Sequence, residues 1–299
     1  MLQHVPCPLC GAHETARLYP ATPSYDPARA CYSCTSPQLA SHGEIVRCRA
    51  CGMIFADPQP DAQSLARAYR EVQDPLYLQE TSGREATFAT TLRRLETLRQ
   101  PPGELLDVGC YTGVFMRVAS THGWSVTGLE LSRWAAALAR ATGIGPVHET
   151  ELVDAPLAPA SLDVITMWDV IEHVPAPGLL LDAARRLLRQ GGLLALSTHI
   201  LDSRIARLLG RRYPFLMGMH LCHFTRHTLR RLLVDRGFEV ALMDTHERAV
   251  QLRYVMERAS HLLGRLRPLL DRFGSTTFAT RHLVRIRWLG LVEAYAIRR

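Results

Sequence analysis

The sequence contains no lysine, since every one of its 35 basic residues is arginine. It also has no uninterrupted apolar run of the ~18 residues that a membrane-spanning helix requires. Its first residues do not combine a basic stretch with an apolar run, so we expect no signal peptide. These absences predict a cytoplasmic protein without a transmembrane segment. In that compartment, paired cysteines are more often metal ligands than disulfides.

The arginines are unevenly distributed along the chain. Residues 200–299 hold 19 Arg against 8 acidic residues (+11), and residues 1–199 hold 16 against 20 (−4), which together give the net charge of +7. A basic C-terminal third favours an anionic partner, such as a phosphorylated substrate, a membrane surface or nucleic acid. A solvated arginine-rich surface explains the same distribution.

Changes in sequence pattern divide the chain into three regions. Residues 1–60 hold six of the eight cysteines and little helical periodicity, which predicts a compact, loop-rich module. Residues 61–100 show the apolar spacing of two helices broken near Asp74 and Pro75, which predicts a helical linker or lid. In residues 101–299, strands alternate with helices. This alternation predicts an α/β domain with a mostly parallel sheet covered on both faces.

A glycine-containing loop follows the first predicted strand of that domain. Gly109 and Gly113 allow the backbone to turn tightly and approach a ligand, and the helix that follows offers N–H groups. Glu130 ends the next strand, 21 residues after Gly109, where an acidic side chain accepts hydrogen bonds from ribose hydroxyls. The loop lacks the third glycine of the dinucleotide pattern G-x-G-x-x-G, which argues against NAD.

The loop sequence carries a resemblance to a known family. Residues 105–113, Leu-Leu-Asp-Val-Gly-Cys-Tyr-Thr-Gly, resemble the first motif of the class I S-adenosylmethionine (SAM)-dependent methyltransferases, although Tyr111 replaces the middle glycine. Residues 161–174 and 187–192 resemble the segments around the fourth and fifth strands of the same family. The resemblance implies a Rossmann-like seven-stranded sheet of order 3-2-1-4-5-7-6. Its last strand, expected near Ile286–Ile297, would be antiparallel.

The same resemblance implies the SAM contacts. Asp107 and the backbone of Gly109 would hold the methionine end, and Glu130 would hold the ribose. Trp168 and Asp169, at the end of the fourth strand, would border the SAM site, as in similar enzymes. The cofactor-binding residues are therefore predicted to be Asp107, Gly109, Cys110, Gly113, Glu130, Trp168 and Asp169.

Two histidines are candidate catalytic residues. Methyl transfer from a sulfonium is an in-line displacement, but an oxygen or nitrogen acceptor also loses a proton, and histidine is a suitable base at neutral pH. His173 follows the fourth strand at the sheet edge where ligands bind, and ubiquinone-pathway O-methyltransferases, which are similar here, also carry a Glu-His pair. His223 follows the segment in which the family places substrate-facing residues. Ordinary packing is the alternative for both, and a metal site at His220, Cys222 and His223 would need a carboxylate or water.

The N-terminal region contains two similar cysteine pairs, Cys7-Pro-Leu-Cys10-Gly and Cys48-Arg-Ala-Cys51-Gly. Two intervening residues let both thiolates of a pair reach one Zn²⁺ at ~2.3 Å. We therefore predict that Cys7, Cys10, Cys48 and Cys51 form a closed structural zinc site.

A third pair, Cys31 and Cys34, lacks the following glycine. It is either a spare pair or a set of ligands that displaces one of the other two. Residues 51–55, Cys-Gly-Met-Ile-Phe, are similar to a run that follows the zinc ribbon in methyltransferases of polysaccharide and natural-product pathways.

Three functions are compatible with these patterns. The first is SAM-dependent methyl transfer to an oxygen of a small molecule, namely a sugar, nucleotide-sugar or secondary metabolite, and the basic C-terminal third favours an anionic one. The second is RNA methylation. However, the region before Ala62 holds four Arg against five acidic residues and so lacks the excess of positive charge that is typical of an RNA-binding module. The third is a non-catalytic scaffold, against which stand the intact Asp107, Gly109, Gly113 and Glu130. We expect the first function, although these residues do not specify the acceptor, the acceptor atom or the oligomeric state.

Overall fold

The computed structural model describes residues 2–253, 255–256, 276, 278–279, 282–287 and 289–299. The strands in this part of the chain are β1 (Leu2–Gln3), β2 (Thr15–Tyr19), β3 (Ile45–Cys48), β4 (Ile54–Ala56), β5 (Gln59–Pro60), β6 (Glu104–Val108), β7 (Ser125–Leu129), β8 (Val147–His148), β9 (Leu162–Trp168), β10 (Leu188–His199), β11 (Cys222–His223), β12 (Phe238–Thr245), β13 (Arg248–Gln251), β14 (Leu283–Ile286) and β15 (Leu291–Arg298). The helices are α1 (Ala62–Arg70), α2 (Thr81–Glu96), α3 (Val114–Thr121), α4 (Arg133–Ala141), α5 (Pro177–Leu187), α6 (Arg204–Leu209) and α7 (Arg226–Asp235).

Seven strands form the central sheet in the order β12-β15-β10-β9-β6-β7-β8. Strands β6 to β10 are mutually parallel, and β15 runs antiparallel to both β10 and β12. Numbered along the chain within this sheet, the order is 3-2-1-4-5-7-6, which confirms the prediction. The start of the last strand was predicted too early, because Ile286 ends β14 and pairs with Arg248 in a separate hairpin.

Consecutive residues of the central strands pack on opposite faces of the sheet. On β9, Val164 joins the apolar cluster formed with α2, α3 and α4, whereas Ile165 joins the cluster formed with α5 and α7. Both side chains are fully buried, as expected of a parallel sheet whose strands are covered on both sides. Each such side chain contributes about 1.5–3 kcal/mol of burial free energy.

Polar residues define where several helices begin. The side chains of Asp61 and Ser132 accept backbone N–H bonds at the starts of α1 and α4, and Thr225 and Thr228 form a capping box at α7. Each cap satisfies N–H groups that the helix itself leaves without partners. None of the helices in the described part of the chain combines the length and apolarity that crossing a bilayer requires.

The N-terminal region forms a second antiparallel sheet of order β11-β4-β3-β2. Its edge strand β11 comes from the other half of the chain, with Cys222 opposite Phe55 and His223 opposite Ile54. Met53 and Phe55 share an apolar cluster with residues of α5 and α7. The division at residue 60 therefore remains a prediction, and the N-terminal region packs closely on the rest of the chain.

Candidate functional site

The loop between β6 and α3 lies at the carboxyl end of the central strands. Gly109, Tyr111 and Gly113 adopt left-handed backbone conformations, with φ of +70°, +49° and +76°. A Cβ on Gly109 would also lie 2.8 Å from Val170 Cγ2, so glycine is required there for space as well as for conformation. Tyr111 adopts a glycine-like conformation at a cost of about 1–2 kcal/mol.

The backbone N–H groups of this loop are bonded within the protein. Those of Gly109 and Cys110 donate to Leu129 O at 2.8 and 3.0 Å, and that of Gly113 donates to Cys110 O at 2.9 Å. The N–H groups expected to face a ligand are thus already used at these positions. The Cys110 side chain is buried, and its Sγ lies 2.6 Å from where a Cβ on Gly128 would stand, so only its backbone lines the loop.

Two buried carboxylates stand at the ends of adjacent strands beside the loop. Asp107 Oδ1 accepts a hydrogen bond from Thr166 Oγ1 at 2.7 Å. Glu130 accepts from the N–H groups of Tyr111 at 2.9 Å and Ser132 at 2.7 Å. Burial raises the pKa of Asp107 and of Glu130 to about 7. A bound cation would favour the ionised form of both groups.

Aromatic rings surround the loop. The Tyr111 ring packs against Tyr77 at 4.3 Å and Trp134 at 6.1 Å between ring centroids. The Arg84 guanidinium lies 3.6 Å above the Tyr77 ring, in the geometry of a cation–π contact. The residue that departs from the family motif, Tyr111, is therefore part of an aromatic wall next to the two carboxylates.

Trp168 ends the inner strand β9 at the same edge, and Asp169 follows it. The Trp168 ring packs against Phe115 at 5.2 Å. Asp169 accepts a hydrogen bond from Ser197 Oγ at 2.8 Å and forms an ion pair with Arg248. Although burial acts in the opposite direction, Arg248 holds the pKa of Asp169 well below its usual range. Asp169 is therefore ionised and is already engaged by a cation.

His173 lies in the turn that follows this edge. Its Nδ1 is 2.8 Å from Tyr69 Oη and 3.1 Å from Met219 O. A carbonyl oxygen can only accept, so the network assigns the proton to Nδ1 and leaves the lone pair on Nε2. Burial and the neighbouring His220 ring lower the pKa of His173 to about 4. The ring is therefore neutral at pH 7, with Nε2 able to accept a proton.

His223 occupies a different environment. Its ring is fully buried, and its Nδ1 lies 2.9 Å from Nε2 of His199. This position does not support the predicted contact with an acceptor, because the ring has no exposed surface. The sequence pattern placed His223 next to the segment in which the family has substrate-facing residues. In the structure, however, His223 belongs to β11, a strand of the second sheet.

Residues that the sequence did not mark also line the site. Tyr32 packs on Tyr69 at 5.1 Å between ring centroids, and Thr35 donates from its backbone N–H to Asp74 Oδ2 at 2.9 Å. These contacts lay the segment 31–35 beside α1 and the loop. A cavity of about 300 Å³ opens between this segment and residues 68–73. The only sequence signal for this arrangement was the apolar helical spacing at Tyr69, and that spacing indicated core packing.

The third cysteine pair is not part of the group that the other four cysteines form in the described residues. Cys34 lies at an exposed position, and its electrostatic neighbours include Arg84 and Asp74. Cys31 Sγ lies 3.1 Å from Ser33 Oγ. Both cysteines therefore lie apart from the N-terminal cluster.

Cys7, Cys10, Cys48 and Cys51 converge in the described structure. Their four Sγ atoms all lie within 4.8 Å of one another, with Cys7–Cys51 at 3.5 Å and Cys10–Cys48 at 3.6 Å. These separations are close to the edge of a tetrahedron with Zn–S distances of ~2.3 Å. The glycine after each pair has a φ of +74° or +77°. The four thiols therefore fit a closed metal site.

Comparisons with known proteins match this architecture. A methyltransferase domain family matches residues 81–242. The ubiquinone biosynthesis O-methyltransferase of Pseudomonas paraeruginosa is 34% identical over 101 residues, covering 31% of this chain and 43% of that protein. Its counterpart in Leptothrix cholodnii is 32% identical over 117 residues, covering 35% and 50%.

The chain thus spans about half the length of these curated relatives or less. Among solved structures, a SAM-dependent methyltransferase from Archaeoglobus fulgidus superimposes with a TM-score of 0.52 at 17% identity, covering 75% of this chain and all of that one. At that identity the likeness shows the fold alone.

Proposed function

The chain belongs to the methyltransferase domain family, and we propose that it transfers a methyl group from SAM to a hydroxyl oxygen of a small molecule. The observation that carries this proposal is the juxtaposition of two elements. The glycine loop with Asp107 and Glu130 fits the cofactor, and His173, with its lone pair on Nε2, lies at the same edge of the sheet.

The residues at the loop fit SAM on chemical grounds. Asp107 and Glu130 are buried carboxylates with raised pKa values, and SAM would bring two positive charges, on its amine and its sulfonium. Gly109 lets the backbone approach the ligand, and the aromatic wall of Tyr77, Tyr111 and Trp134 offers apolar surface. SAM, when bound, supplies the methyl group on a sulfonium centre.

His173 would receive the proton of the acceptor. As a hydroxyl oxygen attacks the methyl carbon, its proton passes to Nε2 of His173, while the contacts of Nδ1 with Tyr69 and Met219 hold the ring. The name of the matched relatives, O-methyltransferase, supports oxygen as the acceptor atom. The cavity of about 300 Å³ between segment 31–33 and residues 68–73 has the size of a small-molecule site, which favours a sugar, nucleotide-sugar or secondary metabolite over a polynucleotide.

We further propose that the four N-terminal cysteines hold a structural zinc ion. All four ligand positions would be filled by protein thiolates, which leaves no open position for a substrate. The cluster would thereby stabilise the β2–β3–β4 sheet.

The proposed activity is tested with isotopically methyl-labelled SAM and fractionated metabolite extracts. We expect release of S-adenosylhomocysteine with transfer of the label to a small molecule. Asp107→Asn should abolish SAM binding. The matched control is Asp163→Asn, since Asp163 is also a buried carboxylate but pairs with Arg99 and Arg189 at the opposite end of β9. SAM binding without turnover in any fraction would favour a scaffold, and label found only in RNA would favour RNA methylation.

A further inference from the structure

A second group of potential metal ligands lies behind His173. Glu172, His199 and His220 each place one ligand atom within 4.8 Å of the others. We name these three residues the buried triad, because they are exposed by only 2%, 0% and 4%. In the described part of the chain, the triad and the four-cysteine cluster are the two groups of this kind.

The triad joins three segments that are distant in sequence. Glu172 lies in the turn after β9, His199 ends β10, and His220 precedes β11. The Leu221 N–H donates to Glu172 O at 2.8 Å, which fixes the first and third segments against each other. The His199 and His220 rings stack at 4.6 Å between centroids. The three side chains are therefore held in position by the backbone around them.

Each histidine of the triad uses one ring nitrogen for an outer contact. His220 Nδ1 lies 2.6 Å from Phe215 O, so it carries the proton and leaves Nε2 with a lone pair. His199 Nε2 contacts His223 Nδ1, and its Nδ1 has no hydrogen-bond partner within the described residues. That nitrogen lies 3.6 Å from Glu172 Oε1. Metal-binding histidines are typically held by this kind of contact through the second nitrogen.

The chemistry of the three side chains also suits a cation. Neutral imidazole and ionised carboxylate are the forms that bind metal. A positive ion at the triad would compensate a carboxylate charge that is otherwise costly to bury.

We propose that Glu172, His199 and His220 bind a first-row divalent transition-metal ion. Two imidazole nitrogens and one carboxylate oxygen form a donor set that suits Zn²⁺, Fe²⁺ or Co²⁺. The ion would be separated from His173 by the ring of its ligand His220. The rings of His173 and His220 pack edge-on at 4.7 Å between centroids. The ion links the β9 turn, the end of β10 and the segment before β11. This site is separate from the cysteine cluster and does not depend on the proposed methyl transfer.

Cobalt titration of the full-length, metal-free chain tests the proposal. Binding at the cysteines gives intense thiolate-to-cobalt charge-transfer bands, whereas binding at the triad gives weak visible bands without thiolate character. We expect two equivalents of Co²⁺ to bind, one with each spectrum. Saturation at one equivalent with only thiolate bands would overturn the proposal in the wild-type protein, without reference to any variant.

Variants then assign the second equivalent to the triad. His199→Gln and His220→Gln should each bind one equivalent and retain the thiolate bands, whereas replacement of Cys7, Cys10, Cys48 and Cys51 by serine should remove the thiolate bands of that site and retain the weak ones. His42→Gln is the control, because His42 is also buried and bonds through Nδ1 to a carbonyl, that of Gly43. Two equivalents in both triad variants, or equal loss in His42→Gln, would contradict the assignment. Far-ultraviolet circular dichroism checks that each variant is folded.

Discussion

The ring of His173 lies in surroundings that disfavour its protonated form. Burial acts first, and the adjacent His220 ring adds to it, so that the pKa falls to about 4 from the ordinary value of about 6.5. The base form is the neutral one, which is lost as pH falls through the pKa. At saturating SAM, we expect turnover to be constant from pH 8 to about 5 and to decline towards pH 4. A decline centred near 6.5 would contradict this environment.

Replacement of the same ring separates proton transfer from cofactor binding. His173→Gln should lower kcat by roughly 10²–10⁴-fold, the range of general-base catalysis, with little change in the Kd of SAM. His122→Gln is a suitable control, because His122 contacts Glu96 on the far side of α3. Steady-state kinetics on the identified acceptor give the result, and near-normal turnover would assign His173 a structural role.

The two carboxylates beside the glycine loop make SAM binding sensitive to pH. Asp107 and Glu130 have pKa values raised to about 7, so both gain protons as pH falls from 8 to 6. Protonation removes negative charge that attracts a cation, and SAM binding should weaken by up to about tenfold per pH unit for each linked proton. Calorimetry across this range measures the effect. A Kd that stays unchanged across this range would exclude the linkage.

At the scale of elements, the four N-terminal cysteines and the edge strand β11 are connected through β4. Cys48 ends β3, and β4 pairs on its other side with Cys222 and His223. We expect Cys48→Ser with Cys51→Ser to speed amide hydrogen exchange in residues 45–56 and also in 217–224. SAM affinity should change little, because Asp107 lies on β6 and Glu130 directly follows β7, both outside the N-terminal sheet.

Hydrogen exchange with mass spectrometry distinguishes the outcomes of that experiment. Cys31→Ser is the matched control, since Cys31 is not part of the four-cysteine group, and it should leave both regions unchanged. Faster exchange confined to residues 1–60 would show that the N-terminal region responds independently.

Elements with a strong local pattern could be predicted from the sequence. The strands at Leu105–Val108 and Ser125–Leu129 and the acidic residues that end them follow from buried apolar runs and loop chemistry. The contacts of Tyr69 and Arg248 with the site could not be predicted, because they depend on how distant segments pack. The alternation after His282 likewise did not reveal that β14 leaves the central sheet to pair with β13.

At the scale of the whole molecule, the two sheets share one apolar cluster. Met53 and Phe55 from the N-terminal region pack in the same cluster as Ile200 and Phe224. Deletion of residues 1–60 would expose these surfaces at about 1.5–3 kcal/mol for each large side chain and leave β11 unpaired. We expect the truncated chain to aggregate or to unfold at a much lower Tm. A monodisperse fragment with an unchanged Tm in differential scanning calorimetry would contradict this.

The basic C-terminal third is less available than its composition indicates. Arg236 pairs with Asp182, Arg285 with Glu247, and Arg248 with Asp169. Exposed pairs of this kind contribute little to stability, about 0–1 kcal/mol each, but they neutralise positive charge locally. The excess of arginine therefore does not by itself define a surface for an anionic polymer.

The pairing of β4 with β11 also orders events during synthesis of the chain. Phe55 leaves the ribosome long before Cys222, which follows it by more than half of the chain, yet the two residues face each other in one sheet. Domains generally fold from the N-terminus as they emerge, and contacts between distant residues form slowly. One edge of β4 in the N-terminal sheet therefore has no pairing partner until most of the chain has been translated. Pairing of that edge with the strand Cys222–His223 is therefore expected late in folding, and until then β4 presents backbone groups that can pair with another strand.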